Sequence, residues 1–190
     1  MKKVKLLYYG DLNRKTGFGQ ISHNILPKLH ETGKVDISVL GVNYRGEKTD
    51  YPFHAYPVDS SDLYGTKVFP QILYQEKPDI IFALQDLFIL IDIVRARNQF
   101  APQTPILGYF PIDGNSLPDL WREAIRGMAI PVCYSEYARE LVMRHMSDLK
   151  RLELISHGVD CDTFKILPRE VREKKRAQLG WNNKFLVGIF

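Results

Sequence analysis

A carboxylate placed directly after a continuous apolar run sits at the end of a buried strand, where it can orient or deprotonate a hydroxyl. Gly108-Tyr109-Phe110-Pro111-Ile112-Asp113-Gly114 ends one such run on Asp113. Asp113 is read either as a hydroxyl-binding or basic group or as part of an Asp-Gly turn that needs no ligand. Ala83-Leu84-Gln85-Asp86 ends another run on Gln85 and Asp86, which would line a cleft. Asp86 also stands where it would cap the following helix, the simpler role. Gly10-Asp11 ends a third run and opens a loop that closes on Gly17-Phe18-Gly19. Gly17 and Gly19 let a ligand approach the backbone, and the first N–H groups of the next helix suit a phosphate. The spacing is neither G-x-G-x-x-G nor a P-loop, so a tight turn accounts for it equally well. Ser135, after Cys133-Tyr134, is expected to cap a helix, and Asp160 lies in the Gly158-Val159-Asp160 turn.

These residues need a scaffold, and the apolar pattern describes one. Strand-like runs at Val4–Tyr9, Val35–Val42, Ile80–Leu84, Pro105–Phe110, Ile130–Tyr134 and Leu152–Ser156 alternate with helix-like stretches. A further short strand is expected near Phe53–Tyr56. The helices are expected over Phe18–Glu31 with a kink at Pro27, Leu63–Gln75, Leu87–Gln99, Leu117–Arg126, Ser135–His145 and Pro168–Leu179. Continuously apolar strands separated by helices imply βαβ units and a parallel sheet covered on both faces. The expected fold is therefore α/β and Rossmann-like, with six or seven strands, and its ligands should bind at the carboxyl ends of those strands.

Composition limits the alternatives. The chain has 190 residues, 45% hydrophobic and 25% charged, which is ordinary globular usage. The net charge of +4 is compatible with phosphates and gives only weak support for a nucleic-acid partner. Cys133 and Cys161 make no disulfide framework, so a reducing, cytoplasmic location is the simple reading. No apolar stretch approaches the roughly 18 residues of a membrane span. The five histidines show no zinc spacing and are read as structural. The stretch from Lys165 to Arg176 is basic, as expected of a charged connector or an exposed helix face.

Taken in order, the pieces resemble the amino-terminal domain of a GT-B fold glycosyltransferase of the retaining, family 4-like kind. The residues that carry the likeness are the Gly17–Gly19 loop, Pro78-Asp79-Ile80-Ile81, Cys133-Tyr134-Ser135-Glu136-Tyr137-Ala138 and, most specifically, Ile155-Ser156-His157-Gly158-Val159-Asp160 with Phe164. Leu179-Gly180 and Phe185–Phe190 then match a helix end and the first strand of a donor-binding domain. The implied organisation is an acceptor-side domain over 1–164, a linker and helix over 165–182, and the start of a missing carboxy-terminal domain over 183–190. The resemblance implies transfer of a sugar, with retention, from a nucleotide-diphospho-sugar donor to a hydroxyl acceptor. Asp113 would be catalytic, Gly17 and Gly19 would face the donor phosphates, and Asp11, Gln85, Asp86, Ser135 and Asp160 would line the cleft. No bound cofactor and no metal are expected in this half, which should be inactive alone. The D-x-D spelling of Asp160-Cys161-Asp162 is discounted, since a hard cation wants several oxygen ligands and no third one is evident.

The chain departs from that pattern at two places. It has no histidine after the fifth strand, where Asp113 stands, and Gln85-Asp86 occupies the place of a His-Asp pair. The rival reading is a non-catalytic Rossmann-like module that binds a nucleotide or a partner. On that reading the apolar run Phe185–Phe190 would pair with this sheet or between chains.

Overall fold

The computed structural model describes residues 2–13 and 15–188. It divides into two compact units, Met1–His157 and Gly158–Phe190, each taken by itself below.

The first unit is a seven-stranded sheet in the order β3-β2-β1-β4-β5-β6-β7, with every neighbouring pair parallel. Its strands are β1 (Val4–Asp11), β2 (Val35–Val42), β3 (His54–Tyr56), β4 (Ile80–Leu84), β5 (Ile106–Phe110), β6 (Ile130–Cys133) and β7 (Glu153–Leu154). The chain winds outward from β1 through β2 to β3, returns to the other side of β1, and continues outward from β4 to β7. This is a doubly wound, Rossmann-like sheet whose direction reverses between β1 and β4. Crossovers between parallel strands are right-handed, so helices leading in opposite directions must lie on opposite faces. Accordingly α2 (Phe69–Glu76), α3 (Leu87–Phe100), α4 (Asp119–Arg126) and α5 (Glu136–His145) share one core with Leu7, Tyr9, Leu40, Ile81, Ile106 and Phe110. Helix α1 (Gly17–Glu31) packs Leu26, Ile21, Ile25 and Leu29 on the other face, against Leu6, Tyr8, Ile37 and Val39.

Several element boundaries differ from expectation for local reasons. Helix α2 begins at Phe69 rather than Leu63. Gly65 is left-handed at φ +68°, and the Asp62 carboxylate accepts from the N–H groups of Lys67 and Val68 at 2.9 and 3.3 Å. That turn consumes the residues that would have been the first helical turn, and Pro70 falls at an early helical position, where a missing N–H costs nothing. Helix α1 runs through Pro27 to Glu31. Strand β7 is shortened to an edge pair, although the Ile155 N–H still donates to the Cys133 carbonyl at 2.9 Å.

In the second unit, α6 (Arg169–Gln178) follows Pro168 and ends at Gly180, which is left-handed at φ +67°. The Gly180 N–H donates to the Ala177 carbonyl and the Trp181 N–H to the Arg176 carbonyl, a paired closure that only a left-handed residue permits cheaply. No residue of α6 is buried. Residues 184–188 form no regular element, and Ile189 and Phe190, the end of the expected last strand, lie outside the described residues. Among the described residues no helix is long and apolar enough to cross a membrane.

Candidate functional site

The polar residues at the carboxyl edge of the sheet fall into those already bonded within the chain and those whose side chains hydrogen-bond to no other described residue. Asp11 belongs to the first group. It is buried; its Oδ1 accepts from the Asn13 N–H at 2.6 Å, and its Oδ2 accepts from Thr16 Oγ1 and Asn43 Nδ2 at 2.8 and 2.9 Å. It therefore ties the β1–α1 loop to the end of β2 and has little left for a ligand, contrary to the cleft-lining role expected for it. Thr16 caps α1, its hydroxyl accepting from the Gly19 N–H at 2.9 Å. Gly19 thus does not offer that N–H to a phosphate. Its lack of a side chain has a packing cause: a Cβ there would lie 1.8 Å from the Asn13 carbonyl oxygen. Gly17 is exposed and has open space around it.

Ser135 is also bonded internally. It caps α5 as expected, its hydroxyl accepting from the Ala138 N–H at 3.2 Å. Gln85 is buried and its Oε1 accepts from the Asp86 N–H at 3.0 Å. In the second unit Asp160 holds its own turn, accepting from the Asp162 and Thr163 N–H groups at 2.9 and 3.2 Å and from the Thr163 hydroxyl at 2.7 Å.

The second group is Asp86, Asp113, Tyr134 and His157. Asp86 occupies the N-cap position of α3, yet its side chain accepts no cap hydrogen bond, which overturns the capping role read from the sequence. Burial, and then the charge of Asp113, hold its carboxyl above the ordinary carboxylate pKa. Asp113 is exposed on the loop after β5. Tyr137, on the first turn of α5, donates its hydroxyl to the Gly114 carbonyl at 2.9 Å and so tethers that loop. The Tyr134 phenol is raised in pKa by burial, Asp86, Tyr109 and Asp113, so it stays a neutral donor. Its ring packs against His157 with centroids 4.1 Å apart. Partial burial lowers the His157 pKa although the outer side of the residue is exposed, so the imidazole is neutral at neutral pH. Tyr109 stands edge-on to both rings at 5.4 Å. Its hydroxyl, pushed up to about 12 by burial and then Cys133, donates to the Ile155 carbonyl at 2.7 Å. That bond fixes the segment carrying His157. None of the side chains of Asp86, Asp113, Tyr134 and His157 hydrogen-bonds to another described residue. Adjacent strand ends bring them together, since Leu84 pairs with Tyr109 and Phe110 with Cys133.

Tyr134 and His157 were not singled out from the sequence as site residues. Their signal was an aromatic ring directly after a strand, which reads equally well as core. Among the described residues no group of three His, Cys, Asp or Glu side chains is arranged to hold a metal ion. The thiol of Cys133 is buried and raised in pKa by that burial, consistent with a core role. Two hollows lie at the opposite, amino edge of the sheet. One, of about 70 Å³, includes Lys5, Asp36 and Glu76, and one, of about 340 Å³, includes Arg126, Asp148 and Arg151. The first is too small for a cofactor, and neither lies at the edge where open parallel sheets bind ligands.

Two measurements check this geometry. Because folding favours protonated Asp86, its ionised form costs stability that is absent below the ordinary carboxylate range and accumulates as pH rises through the raised pKa. Asp86→Asn is therefore expected to raise Tm at pH 7 and to match the wild type near pH 3. An equal Tm difference in both buffers would contradict the assignment. Tyr137→Phe should cost about 0.5 kcal/mol by denaturant titration, the low end for a lost hydrogen bond at a half-exposed site.

The first unit is thus an α/β domain with a Rossmann-like sheet, whose carboxyl edge carries two carboxylates, a phenol and an imidazole. No family model and no curated protein matches the chain. Among solved structures it is similar to a Rossmann-fold NAD(P)-binding family protein from Shigella flexneri, at 12% identity and TM-score 0.50, over 70% of this chain and 68% of that one. It is also similar to UDP-GlcNAc 2-epimerase from Methanocaldococcus jannaschii, at 12% identity and TM-score 0.49, over 81% of this chain and 45% of that one. A Clostridium thermocellum family 3 carbohydrate esterase is a further likeness, at 13% identity and TM-score 0.41, over 95% and 94%. At such identities a likeness speaks to fold alone, and the first of these agrees with the Rossmann-like strand order.

Proposed function

We propose that the chain is the acceptor-side domain of a sugar transferase that uses a nucleotide-diphospho-sugar donor. The observation that carries the reading is the set of open groups on Asp86, Asp113, Tyr134 and His157, gathered where this fold binds ligands. The resemblance of Ile155–Asp160 and its neighbours to the retaining transferases supports it. In the reaction an acceptor hydroxyl oxygen bonds to the anomeric carbon of the donor sugar, and the bond from that carbon to the diphosphate oxygen breaks. Asp113 orients the hydroxyl and accepts its proton, while the diphosphate leaves with the bonding electrons. Its charge has to be stabilised away from Asp86 and Asp113, which repel it. Cations of a second domain and the exposed backbone at Gly17 would do this, in place of the Gly19 N–H first expected to help.

The test is a transfer assay on the protein joined to a donor-binding domain, run with a panel of nucleotide sugars beside the 190-residue chain. Release of nucleotide diphosphate by the joined form alone supports the transferase. Tight nucleotide binding by the 190-residue chain, with no turnover by the joined form, replaces it with the non-catalytic module.

A further inference from the structure

The mild positive charge of the whole chain points toward an anionic acceptor, but the site itself points the other way. Asp86 is acted on by burial and Asp113, and Tyr134 by burial, Asp86, Tyr109 and Asp113; no lysine or arginine among the described residues acts on either. Two carboxylates on which no described cation acts repel phosphate and carboxylate ligands, and the neutral imidazole of His157 adds no positive charge. The same carboxylates are good acceptors for hydroxyl donors, with up to four lone-pair sites each. Beside them the rings of Tyr134 and His157 form an aromatic wall backed by the buried ring of Tyr109, with His157 exposed on its outer side. Adjacent hydroxyls above one apolar C–H face are the chemical signature of a pyranose.

We infer that the acceptor is an uncharged sugar ring, its C–H face against His157 and Tyr134 and its hydroxyls donating to Asp86 and Asp113. The word acceptor rests on the transferase reading; the sugar site does not. Sugar binding fits the pairing of an apolar wall with a few convergent polar groups that small-molecule sites use. It also gives the Tyr137 tether a purpose, since a carboxylate that selects a hydroxyl must be held in place.

The test is an NMR titration of the 190-residue chain, following the His157 ring protons and the backbone amide of Gly114, with methyl glucoside, methyl galactoside and N-acetylglucosamine taken into the tens of millimolar. Inorganic phosphate is titrated in parallel. The expected result is a saturable shift of both signals with at least one sugar and none with phosphate, weakened about tenfold or more in Asp113→Asn, read at His157, and in His157→Ala, read at the Gly114 amide. Both substitutions are at exposed positions, and an unchanged far-ultraviolet spectrum verifies folding. A response to phosphate alone, no saturable response to any of the sugars, or sugar binding unaltered in both variants overturns the inference. Sugar binding in the absence of any nucleotide-sugar consumption by the joined protein retires the transferase and keeps the sugar site. Consumption with transfer only to non-sugar hydroxyls, and no shift of His157, does the reverse.

Discussion

Replacing Asp113 by alanine is expected to lower kcat/KM for sugar transfer by about 10²–10⁴, the range lost when a positioned proton acceptor is removed. The residue is exposed and hydrogen-bonds to no described side chain, so stability should change little, within about 0.5 kcal/mol. The two effects separate a chemical role from a structural one. A second signature follows from the coupling of the two carboxylates. Asp113 is one of the two causes that raise the pKa of Asp86. Without that negative charge Asp86 ionises at lower pH, so any residual activity limited by ionised Asp86 should have its rising limb moved toward acid. Initial rates across a pH series, for wild type and Asp113→Asn, measure both the fall and the shift. Unchanged kcat/KM in Asp113→Ala would remove this residue from the reaction.

Gly19→Ala should be the most damaging single methyl in the first unit. The new Cβ would meet the Asn13 carbonyl oxygen at 1.8 Å and Thr16 Oγ1 at 2.9 Å. Neither can move freely. Asn13 is held by Asp11 through its own N–H, and Thr16 is held by Asp11 through its hydroxyl. Relief would require breaking the Thr16 cap or displacing a buried carboxylate. A cost of about 3 kcal/mol is expected, the upper part of the range for overpacking. For a chain of this size that is a drop in Tm of roughly 6–12 °C. Gly17→Ala supplies the contrast. It has nothing within 4 Å of the added methyl, and alanine favours a helix start over glycine. Its stability should stay within about 0.5 kcal/mol of wild type, so any loss of transfer reports on ligand approach to that backbone. Thermal melts of the two variants side by side decide the matter, and equal Tm values would refute the packing argument.

The alternation of elements was legible in the chain because parallel strands are buried on both faces and must be apolar throughout, as Val35–Val42 and Ile80–Leu84 are. The Ser135 cap and the Gly180 helix end were legible for a similar reason: each rests on bonds within a few residues. Alpha-two was misplaced because a side-chain turn at Asp62 competes locally with helix, and nothing in apolar periodicity reports on that competition.

The site divides along the same line. The sequence by itself placed Asp11, Gln85, Asp86, Asp113 and Ser135 at strand ends, since that follows from where apolar runs stop. It could not say which of them remain open, because a hydrogen-bond partner can come from anywhere in the fold. Asp11 is taken up partly by Asn43 of a different loop, whereas Asp86, a natural cap by position, leaves its helix uncapped. Tyr134 and His157 belong together only because β6 and β7 pair and the Tyr109 hydroxyl anchors Ile155. Element order is a property of local pattern and burial. Which carboxylates are free, and which rings stand beside them, is decided by contacts between distant residues, and those exist only once the sheet has formed.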